Sequence, residues 1–193
     1  MTESDISLRD RLVDTGVELL AAEGPQALTL REIARRAGVS HGAPRRYFPT
    51  RLELLSAIAR RGFADLAERA HVALERQAGG PRARVAALAR TYLGFALDRP
   101  GMYELMFRHD LLESGRLGLR ETSLPLFSLL TDLIGEADPA ADARRTAGAL
   151  WANLHGMAQL WRWRSLQLAT GEEDLGPLLD AVLAAHLGPE GGR

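Results

Sequence analysis

Eight arginines, at positions 31, 35, 36, 45, 46, 51, 60 and 61, fall between residues 25 and 61, with only Glu32 and Glu53 to oppose them. That stretch carries a local balance of +6, whereas the whole chain has a formal net charge of -1. A guanidinium is a fixed fork of donors that suits phosphate oxygens and the acceptor edge of guanine. A local excess of this kind has two readings, a solvated helix face or a phosphate-binding surface, and the pattern of the surrounding elements must decide between them. All 24 basic residues of the chain are arginine, so the choice of arginine over lysine carries no local information.

Other chemistries are poorly supplied. There is no cysteine, which excludes disulfides, thiolate metal sites and cysteine nucleophiles. The histidines (41, 71, 109, 155, 186) are scattered, and "HDLLE" at His109, Asp110 and Glu113 lacks the two-histidine spacing of a helical zinc site. No GxSxG, Gly-rich phosphate loop or dinucleotide fingerprint occurs. The sequence therefore predicts no catalytic residues, no metal and no cofactor, and an enzyme is the disfavoured competing class. The start, "MTESDISLRD", is polar and acidic, and no stretch approaches the roughly 18 apolar residues of a membrane span, so a cytoplasmic chain with no membrane partner is expected.

The elements that must position the arginines are helical. Leu8, Leu12, Val13, Val17, Leu19 and Leu20 follow a 3.6-residue period, predicting a helix over about 8–23 that Gly24-Pro25 ends. "TLRE" offers Thr29 as N-cap with Glu32 three residues on, a capping box, and Gly38 closes that short second helix. Ser40 or His41 caps a third short helix through Tyr47-Phe48, with Pro44 tolerated in its first turn. Val39 and Phe48 are expected to point inward. Pro49 ends it, and "TRLE" repeats the capping box at Thr50, opening a long helix to about Gln77. Two short helices joined by a tight turn, the second displaying basic side chains, form a helix-turn-helix whose second helix enters the major groove.

The stretch "ALTLREIARRAGVSHGAPRRYFPTRLELL" resembles the N-terminal DNA-binding domain of TetR-type transcriptional repressors: a threonine before helix 2, a Gly-Val turn, an aromatic-rich recognition helix and a basic residue opening helix 4. The resemblance runs over residues 8 to 60. It implies that Thr29 and Arg31 face phosphates, that His41, Gly42, Ala43, Arg45 and Tyr47 lie at the groove, and that Arg51 binds a phosphate; Arg46, beside Arg45, is a further expected DNA contact. Where the family usually has Tyr this chain has Arg45, and where it has His this chain has Tyr47, so the operator preference of relatives does not transfer. Arg45 has two possible roles, reading guanine O6 and N7 or clamping a phosphate.

Beyond residue 80 the pattern stays helical, punctuated at Pro100-Gly101, Pro125, Gly135 and Pro139, with a long helix over about 139–168 and a last one over about 172–187 carrying Leu175, Leu178, Leu179, Val182 and Leu183 on one face. "LWANLHGMAQLW" and "FALDRPGMYELMF" resemble the regulatory domain of the TetR subgroup named for a Trp-His-Gly motif. Trp151 and His155 lie one turn apart, and the aromatic and Met-rich residues Tyr92, Phe95, Met102, Tyr103, Met106, Phe107 and Trp161 read either as core or as walls of an apolar ligand pocket. His155 reads as a core histidine or, with Arg108, as a polar anchor. Ala149, Ala152, Asn153 and Gly156 allow close helix approach and, with the leucine face of the last helix, form the expected homodimer interface.

The resulting expectation is an all-α chain of about nine helices: a helix-turn-helix DNA-binding domain over 1–55 and a ligand-binding and dimerisation domain over 56–193, joined by the long helix. It predicts a ligand-responsive regulator, a repressor, that binds a double-stranded inverted-repeat operator as a homodimer and is released by a small, largely apolar effector. The alternative is a ligand-independent architectural DNA binder.

Overall fold

A computed structural model describes residues 7–108 and 118–188. Among them the chain forms ten α-helices and one 3₁₀ turn, Pro25–Ala27, with no strand: α1 Leu8–Glu23, α2 Leu30–Arg36, α3 Ala43–Tyr47, α4 Arg51–Arg76, α5 Pro81–Asp98, α6 Pro100–Phe107, α7 Leu119–Ala137, α8 Ala143–Arg162, α9 Ser165–Thr170 and α10 Gly176–Leu187. No described helix is long and apolar enough to cross a membrane.

Two compact units emerge. The first holds residues 7–65 with 99–108 and 118–123; the second holds 66–98 with 124–188. In the first, α1 packs on α2, α3 and α6 around Leu12, Leu19, Leu28, Ile33, Phe48, Leu54 and Ile58, all essentially inaccessible to solvent. Gly16 lets α1 lie close to α4, since a Cβ there would collide with the Ile58 side chain. Arg61 of α4 also pairs with Asp14 of α1 at 3.0 Å. Arg11 donates to the Ala37 carbonyl at 3.0 Å, placing positive charge where the carbonyls of α2 end. In the second unit α8 packs on α5, α9 and α10 around Val85, Ala89, Phe95, Leu150, Leu154 and Leu183. Arg82, at the start of α5, donates to the carbonyl of Leu187 at the end of α10 at 2.7 Å.

Local rules account for most boundaries. Ser7 Oγ accepts from the Asp10 amide, Thr29 Oγ1 from Glu32 and Thr50 Oγ1 from Glu53, so α1, α2 and α4 each begin on a side-chain cap. Gly38, at φ 67°, closes α2 while the Val39 amide reaches back to the Ala34 carbonyl at 3.0 Å. Four expectations need correction. Neither Ser40 nor His41 caps α3; Gly42 does, without a side-chain bond. The capping box at Thr29 is one-sided, because the Glu32 carboxylate turns to arginines rather than back to the cap. Pro125 does not end α7: it stands inside the helix, exposed in the second turn, where it forfeits one backbone bond without terminating the element. The long helix predicted over 139–168 is two helices, because Arg164 adopts the left-handed conformation (φ 64°) and turns the chain between α8 and α9. That break accounts for ten helices rather than nine.

Candidate nucleic-acid interface

The recognition-helix candidate is only five residues long, so its orientation depends on what it buries. Pro44 and Phe48 are four residues apart and both buried, fixing the inner side of α3 against the first unit. Arg9 stacks its guanidinium 5.3 Å from the Phe48 ring centroid, adding a second support that the sequence reading missed. Val39 is half-buried rather than fully inward. With the inner side spent, His41, Gly42, Arg45, Arg46 and Tyr47 are exposed and Ala43 is half-buried. Tyr47 is an exposed aromatic, 42% accessible.

The surrounding cations fall into two groups. Arg31, Arg45 and Arg46 make no hydrogen bond or ion pair among the described residues. Arg51, exposed at the start of α4, donates Nε to the Leu28 carbonyl at 2.9 Å, which pins its guanidinium beside Thr29 while leaving the two terminal nitrogens of the fork. The Thr29 hydroxyl accepts from the Glu32 amide and keeps its own O–H to donate. In contrast, Arg35 is gripped twice by Glu32, at 2.9 Å and 2.6 Å, and Arg36 bonds both Glu32, at 2.9 Å, and Glu23. Those hydrogen bonds from Arg35 and Arg36 hold the Glu32 carboxyl at about 2, well below the usual carboxylate range. The spacing of Glu32 to Arg35 and Arg36 is visible in sequence; the tie to Glu23 is not, because it joins two helices.

The residues expected to form a ligand pocket separate between the two units. In the first, Met102, Tyr103 and Met106 are buried; both methionine sulfurs lie against Gly62, where an added Cβ would come within 2.6 Å of each. Phe107 meets Phe63 edge-on at 5.7 Å and Tyr103 at 5.1 Å. In the second, Phe95 is buried beneath Arg69, whose guanidinium stands 5.4 Å from its ring. Tyr92, Trp151 and His155 come together: Trp151 Nε1 donates to Tyr92 Oη at 3.2 Å, and Tyr92 Oη lies 3.0 Å from His155 Nδ1. An indole N–H can only donate, so Tyr92 Oη accepts from Trp151, and either tautomer of the neutral imidazole completes the bond between Oη and His155 Nδ1. Burial pushes the His155 pKa below its ordinary value, favouring that neutral form. Phe127, 6.2 Å from Trp151, joins this group without any sequence signal. Trp161 is half-buried, its carbonyl accepting from Gln167 Nε2 at 3.1 Å. His109, Asp110 and Glu113 lie outside the described residues, among which no His, Asp and Glu cluster could hold a metal ion.

On α8, Ala149, Ala152 and Asn153 are exposed and Gly156 half-exposed, as a close helix contact requires. The leucine face of α10 divides: Leu179 and Leu183 are 3% and 5% accessible, spent inside the protomer, Leu175, Leu178 and Val182 are half-buried, and the exposed residues are Pro177, Asp180, Ala181, Ala184 and Ala185.

Comparison with known proteins agrees with this arrangement. Residues 12–58 match "Bacterial regulatory proteins, tetR family", and residues 85–186 match "Tetracyclin repressor-like, C-terminal domain". The chain is 40% identical over 82 residues to the HTH-type transcriptional regulator BetI of Rhizobium meliloti, covering 42% of this chain and 40% of that protein. It is 30% identical over 114 residues to the nucleoid occlusion factor SlmA of Haemophilus ducreyi, covering 58% of this chain and 56% of the relative. The matches thus span only about two fifths to somewhat over half of these curated relatives. A solved protein of unknown function from Rhodococcus sp. RHA1 is 30% identical, superposes with a TM-score of 0.82 and is covered over 97% of both chains. With a helix-turn-helix match on the basic helices and a regulatory-domain match over 85–186, the chain belongs to the TetR family of transcriptional regulators, which are not enzymes.

Proposed function

We propose that the chain is a homodimeric repressor that binds an inverted-repeat operator and is released by a small, largely apolar effector. One observation carries the DNA part: Arg45, Arg46 and Tyr47 project from a helix anchored by Pro44 and Phe48, flanked by Arg31 and Arg51 with donors to spare. One such helix reads only a few base pairs, so two of them in a two-fold dimer must meet half-sites about one helical turn, roughly 34 Å, apart. The exposed small residues of α8 supply the dimer contact, with α10 contributing its exposed alanines beside the half-buried Leu178 and Val182. The Tyr92, Trp151 and His155 group is the polar feature of the effector site; a neutral imidazole there suits an uncharged or hydrogen-bonding ligand better than a cation. Binding that favours one conformation by about 1–3 kcal/mol weakens operator affinity by some 5- to 150-fold, and operator weakens effector binding by the same factor.

Footprinting the chain on its own upstream region, followed by Arg45→Ala on the protected sequence, tests the reading. A base-reading Arg45 costs about 1–3 kcal/mol and relaxes one position; equal loss on operator and random duplex makes it a phosphate clamp. Absence of any protected inverted repeat on duplexes that the protein binds defeats the repressor reading. The likeness to a nucleoid occlusion factor favours one alternative, a DNA binder that needs no effector. In that case a small-molecule thermal-shift screen yields no compound that also weakens DNA binding.

A further inference from the structure

We propose that Glu32 is a specificity-setting residue of the DNA-binding unit: it withdraws Arg35 and Arg36 from the phosphate backbone and so suppresses sequence-independent binding. The inference rests on the DNA-binding reading above and extends it to a residue with no role there. Arg31 and Arg35 are four residues apart on α2, hence on one face, and both are exposed. Nothing among the described residues engages Arg31. Arg35 presents two of its nitrogens to Glu32 in a forked pair, Nε to Oε2 at 2.9 Å and Nη2 to Oε1 at 2.6 Å. Arg36 gives Nε to the same Oε1 at 2.9 Å and Nη2 to Glu23 on α1. Two carboxylates therefore balance two guanidinium groups, each fork spending two of its nitrogens on them, while the Arg35 side chain stays 62% exposed and that of Arg36 34%.

The consequence is a sorting of charge within one basic segment. Phosphate contacts are alike on every sequence and supply nearly all of non-specific affinity, so each arginine added to the phosphate-binding set strengthens binding to the wrong DNA. A bidentate arginine–carboxylate pair is the geometry best able to compete with a phosphate for the same fork, since both acceptors offer two oxygens in one plane. Glu32 performs this while its backbone amide stays on the Thr29 cap, so neutralising the carboxylate leaves the start of α2 intact.

The test uses the full chain and a random-sequence duplex, with affinity measured by anisotropy across a salt series. Glu32→Gln is expected to tighten binding at low salt and to steepen the logarithmic salt dependence by about 0.9 for each arginine released, up to two per protomer. Glu53→Gln removes the same charge from α4 without an arginine in its grip, and is expected to leave the slope as in wild type. A triple variant, Glu32→Gln with Arg35→Ala and Arg36→Ala, is expected to return the wild-type slope, because the withdrawn pair contributed nothing. Two results overturn the inference: a Glu32→Gln slope equal to that of Glu53→Gln, or a triple variant flatter than wild type by about two units per protomer, which means that Arg35 and Arg36 already touch phosphates. Failure of the DNA-binding reading itself has a different signature, a wild-type protein with no salt-dependent duplex binding.

Discussion

Removing Arg51 has a consequence that follows from how the arginines are distributed. Of the eight between 25 and 61, Arg35 and Arg36 are held by Glu32 and Glu23, and Arg61 is paired with Asp14. Arg60 lies more than two turns into α4. Arg31, Arg45, Arg46 and Arg51 remain, four per protomer and eight in a two-fold dimer. With about 0.9 counterions released per neutralised phosphate, and with Arg45 on a phosphate rather than a base, the dimer's affinity should vary with salt to a power near -7, a loss of roughly four decades between about 50 and 200 mM. Arg51→Ala deletes one contact per protomer, so the exponent falls to about -5 and the loss to roughly three decades, equally on operator and random duplex. The substitution also deletes the bond to the Leu28 carbonyl, so Arg51→Lys is the companion: it restores the charge, and most of the salt dependence, without the Nε bond. Anisotropy titrations over a salt series, with thermal melts to show that each variant is folded, make the measurement. A folded Arg51→Ala protein whose salt exponent equals that of wild type refutes the assignment of Arg51 to a phosphate.

Three further outcomes are expected. Ser56 is fully buried in α4 with no partner for its hydroxyl among the described residues, so Ser56→Ala should stabilise the protein by about 1 kcal/mol, raising Tm by roughly 2–4 °C in a thermal melt; a lower Tm means that the hydroxyl is satisfied. Gly156→Arg, on the outward face of α8, should give a folded monomer by light scattering, whereas Leu183→Glu, at a buried position of α10, should unfold the protomer, costing more than about 3 kcal/mol; a folded Leu183→Glu monomer contradicts this placement. The pKa of His155 is depressed below 6.5 by burial, so the unfolded chain binds the extra proton first: its contribution to stability is complete above pH 6.5 and drains as the pH falls from there through the folded-state pKa. Urea unfolding across that range should therefore show a slope that His155→Gln reduces, and an unchanged slope removes His155 as its source.

Much of the DNA-binding half was legible in the sequence because its signals are local. Caps at Thr29 and Thr50, the glycine closing α2 and the tolerated Pro44 each act within about one turn, and together they place α1 to α4 to within a few residues. The outward placement of Arg45, Arg46 and Tyr47 follows from the same arithmetic, once Pro44 and Phe48 are assigned inward. What the sequence could not decide was partnership between distant segments. Which arginines are available depends on Glu23 and Glu32 together, on Asp14 reaching Arg61, and on the Leu28 carbonyl reaching Arg51, all set by how α1, α2 and α4 pack. The same holds for Phe127 beside Trp151 and for Tyr92 between Trp151 and His155, where three helices supply one group. The leucines of α10 show the limit most clearly. Periodicity gives a helix an apolar face but not the identity of what covers it, and here the core of the protomer takes Leu179 and Leu183 while Leu175, Leu178 and Val182 of the same face stay half-buried.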